Sequence, residues 1–503
     1  STPVPLVLEK ASYRKSYVMA RDRFGLSGAS ATRLVNKVRW ESLDADPDFD
    51  VDIQMDEFFS SCREHNQTKE IPLYSGILDP DLDFAIECRN TFNFFHFITE
   101  SLPQLTLLDT LEFHGNIYFH FPNLEEKQRP FASEFVAALF PEYEGRVFFE
   151  RAPKDYKKVL TAFELIGAHP MMPENEVAGI GDFAAKGMAG QSGLSSVRDH
   201  ATLAMNSVSS TVLALRARAL KAIEGGDYGH LPTRFYVGRD TRYSRSRHME
   251  GEDLLFDHLK LFGFEYVVFE NLTPLEQVAL MAKAEMMISY HGAGFTNMLF
   301  ANSETYAVEI GTLQTAQVRW GDFWPLAQAS QCRYVNFFAD FNTDDPLVEP
   351  TFGKDGIVPV FLSEQGMAQM LAFVVTVLGQ YPTLKRPGQL LDLGRKVLQV
   401  GAGDHAVRLL EEHADLVAGN SKLCLLQADC HKQQDEPKSE LLALDRAFKA
   451  DPGRWQTLVR MIWCANRCER PQVIRWALSR LKADFPDRHD AFVGNHSWVR
   501  YVV

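Results

Sequence analysis

Between Gly226 and Ile310 short apolar runs alternate with helical stretches, and this alternation restricts the fold more than any other feature of the chain. Arg234 to Val237, Glu265 to Glu270, Met286 to Tyr290 and Tyr306 to Ile310 read as strands. Asp253 to Phe262 and Thr273 to Ala284 read as helices. Gly263 stands where a helix C-cap favours glycine, and Thr273 with Glu276 three residues on has the pattern of a capping box. Alternation of this kind predicts a parallel sheet with covered faces. Such sheets bind ligands at the carboxyl ends of their strands.

The flanking regions differ. Ile117 to Phe121, Val147 to Phe149 and Val159 to Leu165 are further strand candidates. Cys88 to Glu112 reads as a loop entering an amphipathic helix, with Phe94, Phe97, Ile98, Leu102 and Leu105 at helical spacing and Pro103 predicting a kink or a boundary. Residues 176 to 196, rich in Gly, Ser and Ala, read as a mobile loop, with a phosphate-binding role as the alternative, and Ala201 to Ile223 as a helix. From about Gln389 strand signals vanish. Ala450-Asp451-Pro452 and Ala483-Asp484-Phe485-Pro486 each end a helical pattern, with their prolines 34 positions apart. Period and endings resemble tetratricopeptide repeats, with Ala428 and Ala447 as the small residues where paired helices approach. A preceding helix pair, Gly394 to Ala418, would complete a minimal stack.

Charge narrows the function. The 503 residues carry 52 Lys plus Arg against 66 Asp plus Glu, a net charge of -14, and no long basic block. That argues against a general affinity for nucleic acid. An acidic protein with a phosphate-bearing substrate must gather its cations locally. The seven cysteines, an odd and sparse set, suit a reducing compartment. No apolar run is long enough to cross a bilayer, and Ser1 to Lys10 lacks the order of a signal peptide.

Four segments can carry chemistry. His291-Gly292-Ala293-Gly294-Phe295-Thr296-Asn297 follows a strand and opens a helix, so two glycines and free N–H groups can meet an anion while His291 donates to a phosphate. The competing reading is a turn whose glycines relieve crowding. Arg239, Arg242 and Arg247 belong to an arginine-rich stretch after Phe235 to Val237, and guanidinium forks suit a diphosphate. A solvated loop is the alternative. His96 and Glu100, four apart, would share a helix face as a general base and its orienting carboxylate, or His96 is a core histidine among phenylalanines. Glu309 near a strand end could hold a ribose, or be a salt-bridged glutamate. Cys424, Cys430, His431, Cys464 and Cys468 lack zinc-site spacing and read as buried packing residues.

Together these segments resemble glycosyltransferase family 61. The resemblance rests on Asn93, His96 and Glu100 with Leu102-Pro103, then Arg239 and Arg247, Gly263-Phe264-Glu265, Glu276-Gln277, His291 to Asn297 and Val308-Glu309-Ile310, in order over roughly residues 85 to 340. One departure is Glu250-Gly251-Glu252, where relatives often carry Asn-Glu after the arginines. The resemblance implies an α/β GT-B fold of two Rossmann-like lobes, followed here by an all-α helical-repeat domain. The expected boundaries are 1–225 for the acceptor-side lobe, 226–385 for the nucleotide-sugar-side lobe and 386–503 for the repeats.

It further implies inversion at the anomeric carbon, a UDP-linked sugar donor, an oligosaccharide or polysaccharide acceptor, and no cofactor or essential metal. His96 and Glu100 are the expected catalytic pair. Arg239, Arg242, Arg247, His291, Gly292, Ala293, Gly294, Thr296 and Asn297 are the expected diphosphate ligands, and Glu309 the ribose ligand. A chain of this make-up looks like a bacterial member building surface polysaccharide or capsule. Its expected location is the cytoplasm, peripheral at the inner face of the membrane, with the repeats meeting a protein partner or a second copy. A non-catalytic scaffold that binds nucleotide or acts through its repeats is the main alternative, and an epimerase of similar shape is another.

Overall fold

A computed structural model describes residues 2–14, 17–20, 24–26, 78–88, 93–121, 130–163, 208–238, 249–312, 323–341, 360–379 and 384–502. The chain divides into two compact units, one of residues 1–244 and 267–336 and the other of residues 245–266 and 337–503. The strands in chain order are β1 (Val4–Arg14), β2 (Tyr17–Ala20), β3 (Phe24–Leu26), β4 (Phe84–Glu87), β5 (Ile117–His120), β6 (Val147–Glu150), β7 (Lys154–Phe163), β8 (Arg234–Val237), β9 (Met249–Glu250), β10 (Glu265–Val267), β11 (Met286–Tyr290), β12 (Tyr306–Gly311), β13 (Arg333–Phe338), β14 (Asp340–Phe341) and β15 (Val360–Phe361).

The first unit holds a seven-stranded sheet in the order β3-β2-β1-β7-β4-β5-β6. Its half from β7 to β6 is parallel, with Phe84 opposite Ile117 and Ile117 opposite Val147. Strands β1, β2 and β3 extend it antiparallel, β1 lying along the full length of β7 from Val4 opposite Phe163 to Tyr13 opposite Lys154. None of these three N-terminal strands was expected from the sequence.

The second sheet has the order β10-β8-β11-β12-β13, and β8, β11 and β12 run parallel. All five residues of β11 are buried, which is why its sequence is a continuous apolar run and not an alternating one. One hydrophobic core joins the two sheets of this unit: Phe84, Ile86 and Phe119 from the first belong to the same buried cluster as Phe235, Met287 and Ala307 from the second.

Local signals explain the element ends. Gly263 has φ +79°, the left-handed conformation that stops the helical run from Glu252 to Phe262. Thr273 Oγ1 accepts from Glu276 N–H at 3.3 Å while the Glu276 carboxylate accepts from Thr273 N–H at 2.8 Å. This is the expected capping box, and it opens the helix Pro274–Ala282.

The second unit contains a small sheet, β14-β15-β9, and an all-helical region. Pro387, Ser421 and Trp455 open three helices, each 34 positions after the last, and Gly403, Pro437 and Pro471 open their partners at the same spacing. Gly401, Asp435 and Glu469, all with positive φ, turn the chain between helices of a pair. The first repeat therefore starts at Pro387, earlier than the pair expected from Gly394. Gly394 is its close-approach residue: a Cβ there would lie 2.7 Å from Leu426 Cδ2. Ala428 holds the matching place one repeat later and is fully buried.

Candidate active site

The Asn93 segment folds as a single helical run of changing pitch. Asn93 Oδ1 caps its start by accepting from Phe95 N–H at 2.9 Å. One α-turn, Phe94–His96, gives way to a π-turn, Phe97–Ser101, and then to a 3-10 helix, Leu102–Thr110. Pro103 has no N–H for the Thr99 carbonyl, so an α ladder cannot pass through it. Instead, Leu102 N–H reaches back to Phe97 O. Single π-turns of this kind are frequent at functional sites. The expected kink is thus a change of winding. On this run His96 Nδ1 and Glu100 Oε1 are 2.7 Å apart, with side chains 13% and 17% exposed.

His291 leaves the carboxyl end of β11, its N–H donating to Ile310 O at 2.8 Å. Pairing of Ser289 with Glu309 sets Glu309 beside it. His291 Nδ1 donates to Glu309 Oε1, and the Tyr334 hydroxyl on β13 donates to Glu309 Oε2. Both His291 and Glu309 are buried. A carboxylate oxygen accepts only, so this bond places a proton on Nδ1 and directs the chemistry of the ring to Nε2. Glu309, expected to hold a ribose, has each carboxylate oxygen engaged within the protein.

Beyond His291 the chain is extended at Gly292, then winds into the 3-10 helix Ala293–Phe300. Gly292, Ala293 and Gly294 are half-buried. Thr296 and Asn297, expected as diphosphate ligands, have no exposed surface. Asn297 Nδ2 donates to Gln277 Oε1 at 3.3 Å, and Gln277 Nε2 in turn donates to Phe269 O at 3.0 Å. This pair braces the turn from inside. Thr296 Oγ1 and Asn297 Oδ1 are buried and find no hydrogen-bond partner among the described residues.

One aromatic side chain joins the two histidine segments. Phe323 packs against Phe95 with ring centres 5.7 Å apart, against His291 at 5.3 Å and against Phe295 at 5.5 Å. Phe95 precedes His96, so both histidine–carboxylate pairs lie on elements that share this contact. Arg239, Arg242 and Arg247 lie outside the described residues, as does the 176–196 loop. The chain enters the arginine stretch from β8, whose last residue, Val237, pairs with Ser289 two positions before His291. Among the described residues no three His, Cys, Asp or Glu side chains gather as metal ligands. Tyr334 and Phe323 went unnoticed in the sequence, because neither stands in a motif or at a telling spacing.

No curated protein matches the chain. Two solved structures of MamA match it in part. One has 13% identity, covers 28% of this chain and 84% of its own, with a TM-score of 0.21. The other has 14% identity, covers 28% and 74%, with a TM-score of 0.23. Residues 94–308 match the family model for Glycosyltransferase 61, a span that starts on the His96 helix and stops one residue short of Glu309. The chain carries a family 61 glycosyltransferase domain over these residues.

Proposed function

We propose that the chain is an inverting transferase that moves a sugar from a UDP-linked donor to a hydroxyl of a growing glycan, in the assembly of a bacterial surface polysaccharide. The two sheets of the first unit would serve as the two lobes of a GT-B enzyme. The observation that carries the reading is the pair of histidine–carboxylate dyads, His96–Glu100 and His291–Glu309, bridged by Phe95 and Phe323.

The two dyads suit different tasks. His96 is the more exposed histidine, and it can take the proton of an acceptor hydroxyl while Glu100 holds its ring. His291 is buried, and its dyad lies at the carboxyl end of a parallel strand, where phosphates bind in sheets of this class. Glu309 holds the ring through Nδ1, with Tyr334 bracing Glu309, so the doubly protonated ring would present an Nε2–H donor to the leaving diphosphate. Backbone N–H groups of Ala293 and Gly294, with Arg239, Arg242 and Arg247 on the adjoining chain, would share the charge that grows on departure. Fixed donors of this sort are often the largest part of catalysis. Displacement breaks the bond from the anomeric carbon to the diphosphate oxygen and forms one to the acceptor oxygen. The acceptor proton passes to His96. In this proposal Glu309 serves His291, and Thr296 and Asn297 hold the turn from within.

The test measures UDP release from candidate nucleotide sugars, with and without a glycan acceptor, by wild type, His96→Ala and His291→Ala. Acceptor-dependent release that falls at least about a hundredfold in both variants supports the reading. Turnover equal to wild type in both would refute it.

A further inference from the structure

None of the residues proposed for the transfer reaction lies on the helical repeats. The second helices of the three pairs, Gly403–Glu412, Pro437–Ala450 and Pro471–Asp484, repeat every 34 positions. Residues at matching places therefore share one outer face. Leu442 and Trp476 are such a match, and they are 66% and 43% exposed. Each stands on the side opposite the buried stripe of its own helix: Ala443, Leu444 and Ala447 in one, Ile474, Ala477, Leu478 and Leu481 in the other.

Charge divides this face. Around Leu442 and Trp476 the exposed residues include Lys438, Arg446, Lys449, Arg475, Arg480 and Lys482. Two of these cations are partly offset by helical neighbours, Lys449 by Asp445 and Arg480 by Asp484. In the first repeat the same face is acidic, with Asp404, Glu411, Glu412 and Asp415 exposed around Arg408. In a chain of net charge -14, cations concentrated on one half of one face make a directed positive field.

We propose that the outer face of helices Pro437–Ala450 and Pro471–Asp484, with Leu442 protruding and Trp476, whose ring rests edge-on against Phe448, partly exposed among basic residues, docks the chain onto an anionic lipid surface. The occupant follows from the side chains. A water-soluble polyanion would use the cations but gives an exposed leucine nothing. The boundary of headgroups and acyl chains uses both: lysine and arginine meet the headgroups, tryptophan lies at the interface and leucine enters the apolar layer. Among the described residues no helix is long and apolar enough to cross a membrane, so the contact is peripheral. The acidic first repeat is repelled by the same surface, which tilts the stack so that its C-terminal half is in contact. Cations near such a surface act additively, and their pull decays within a Debye length.

The experiment is co-sedimentation of the full chain with vesicles of phosphatidylcholine alone and of phosphatidylcholine mixed with phosphatidylglycerol. Expected is binding to the mixed vesicles only, weakened by added salt. The triple variant Lys438→Glu, Arg475→Glu, Lys482→Glu should bind at least about tenfold more weakly. Leu442→Ser, at a position two-thirds exposed, should fold as wild type and bind more weakly to the same vesicles. Equal binding to both vesicle types, no binding to either, or wild-type binding by the triple variant would overturn the proposal. So would salt-sensitive self-association without lipid that the triple variant abolishes, since the basic half would then be meeting the acidic first repeat of a second copy.

Discussion

Phe95 and Phe323 meet edge to face, with ring centres 5.7 Å apart and planes at 85°. Phe95 is the neighbour of His96, and Phe323 lies against the imidazole of His291. The contact makes the position of one histidine depend on that of the other. Phe323→Leu keeps an apolar side chain between them but loses the flat edge. Expected is a folded protein whose kcat falls about ten- to a hundredfold, because reacting groups displaced by about an ångström lose rate on that scale. Phe323→Ala would leave a cavity and destabilise by about 3–5 kcal/mol. Steady-state kinetics beside thermal melting separates the two effects. A Leu variant with unchanged kcat would show that the dyads act independently.

Tyr334 adds a hydroxyl donor to a carboxylate that is 3% exposed. Tyr334→Phe removes that bond and leaves Glu309 Oε2 without its phenolic donor in a buried place. A loss of about 1–3 kcal/mol of stability is expected. Freed on one side, Glu309 holds His291 less firmly, so kcat should fall while KM for the acceptor stays near its wild-type value. His96→Ala should instead leave melting almost unchanged. Kinetics that respond to neither substitution would remove the proposed roles of both dyads.

His120 closes β5 in an aromatic setting, stacked on Tyr13 with Nε2 2.8 Å from the Tyr156 hydroxyl. Burial, and then the nearby Lys154 ammonium, push its pKa down to about 3. In the unfolded chain the same ring titrates near about 6.5. Between those values the unfolded state binds a proton that the native state refuses, so stability falls as the pH drops through that window. His120→Gln can keep a hydrogen bond to Tyr156 without the titration. Urea unfolding at pH 7 and pH 5 should show a larger loss for wild type than for this variant. Equal losses would place the acid sensitivity elsewhere.

Much of this was legible because it depends on neighbours in sequence. The cap of Thr273 and Glu276, the left-handed Gly263 and the pairing of His96 with Glu100 are all contained within four residues. Strand β11 could be read because full burial leaves an uninterrupted apolar run. Contacts at long range left no such trace. Tyr334 reaches Glu309 across 25 positions, and it stands in Arg333-Tyr334-Val335-Asn336, a stretch without a motif. The contacts of Glu309 with His291 and Tyr334 were therefore not among the expectations, which had it facing a ribose. Thr296 and Asn297 look like ligands in a small-residue turn, but the 3-10 winding turns both inward. The first repeat was read with a late start, at Gly394 and not Pro387, for a different reason: it ends at Val417-Ala418-Gly419 without the Ala-Asp and proline signal that sets the register of the others.

The repeats make one chemical prediction that activity assays would miss. Cys430 and Cys464 occupy the same place in consecutive repeats, and both are fully buried. Burial pushes each thiol up to about 12, helped by Asp429 beside Cys430 and by Glu440 near Cys464. A raised pKa keeps sulfur protonated, and only the thiolate is a good nucleophile. Iodoacetamide at pH 8 should therefore leave both residues unmodified in the native chain and alkylate both once denaturant unfolds it. Mass spectrometry of the digested protein reads each site separately. Rapid labelling of Cys464 in the native state would mean that the last repeat opens readily. The contact of its thiol with Pro437 O at 3.1 Å would then hold the second and third pairs together less firmly than the packing implies.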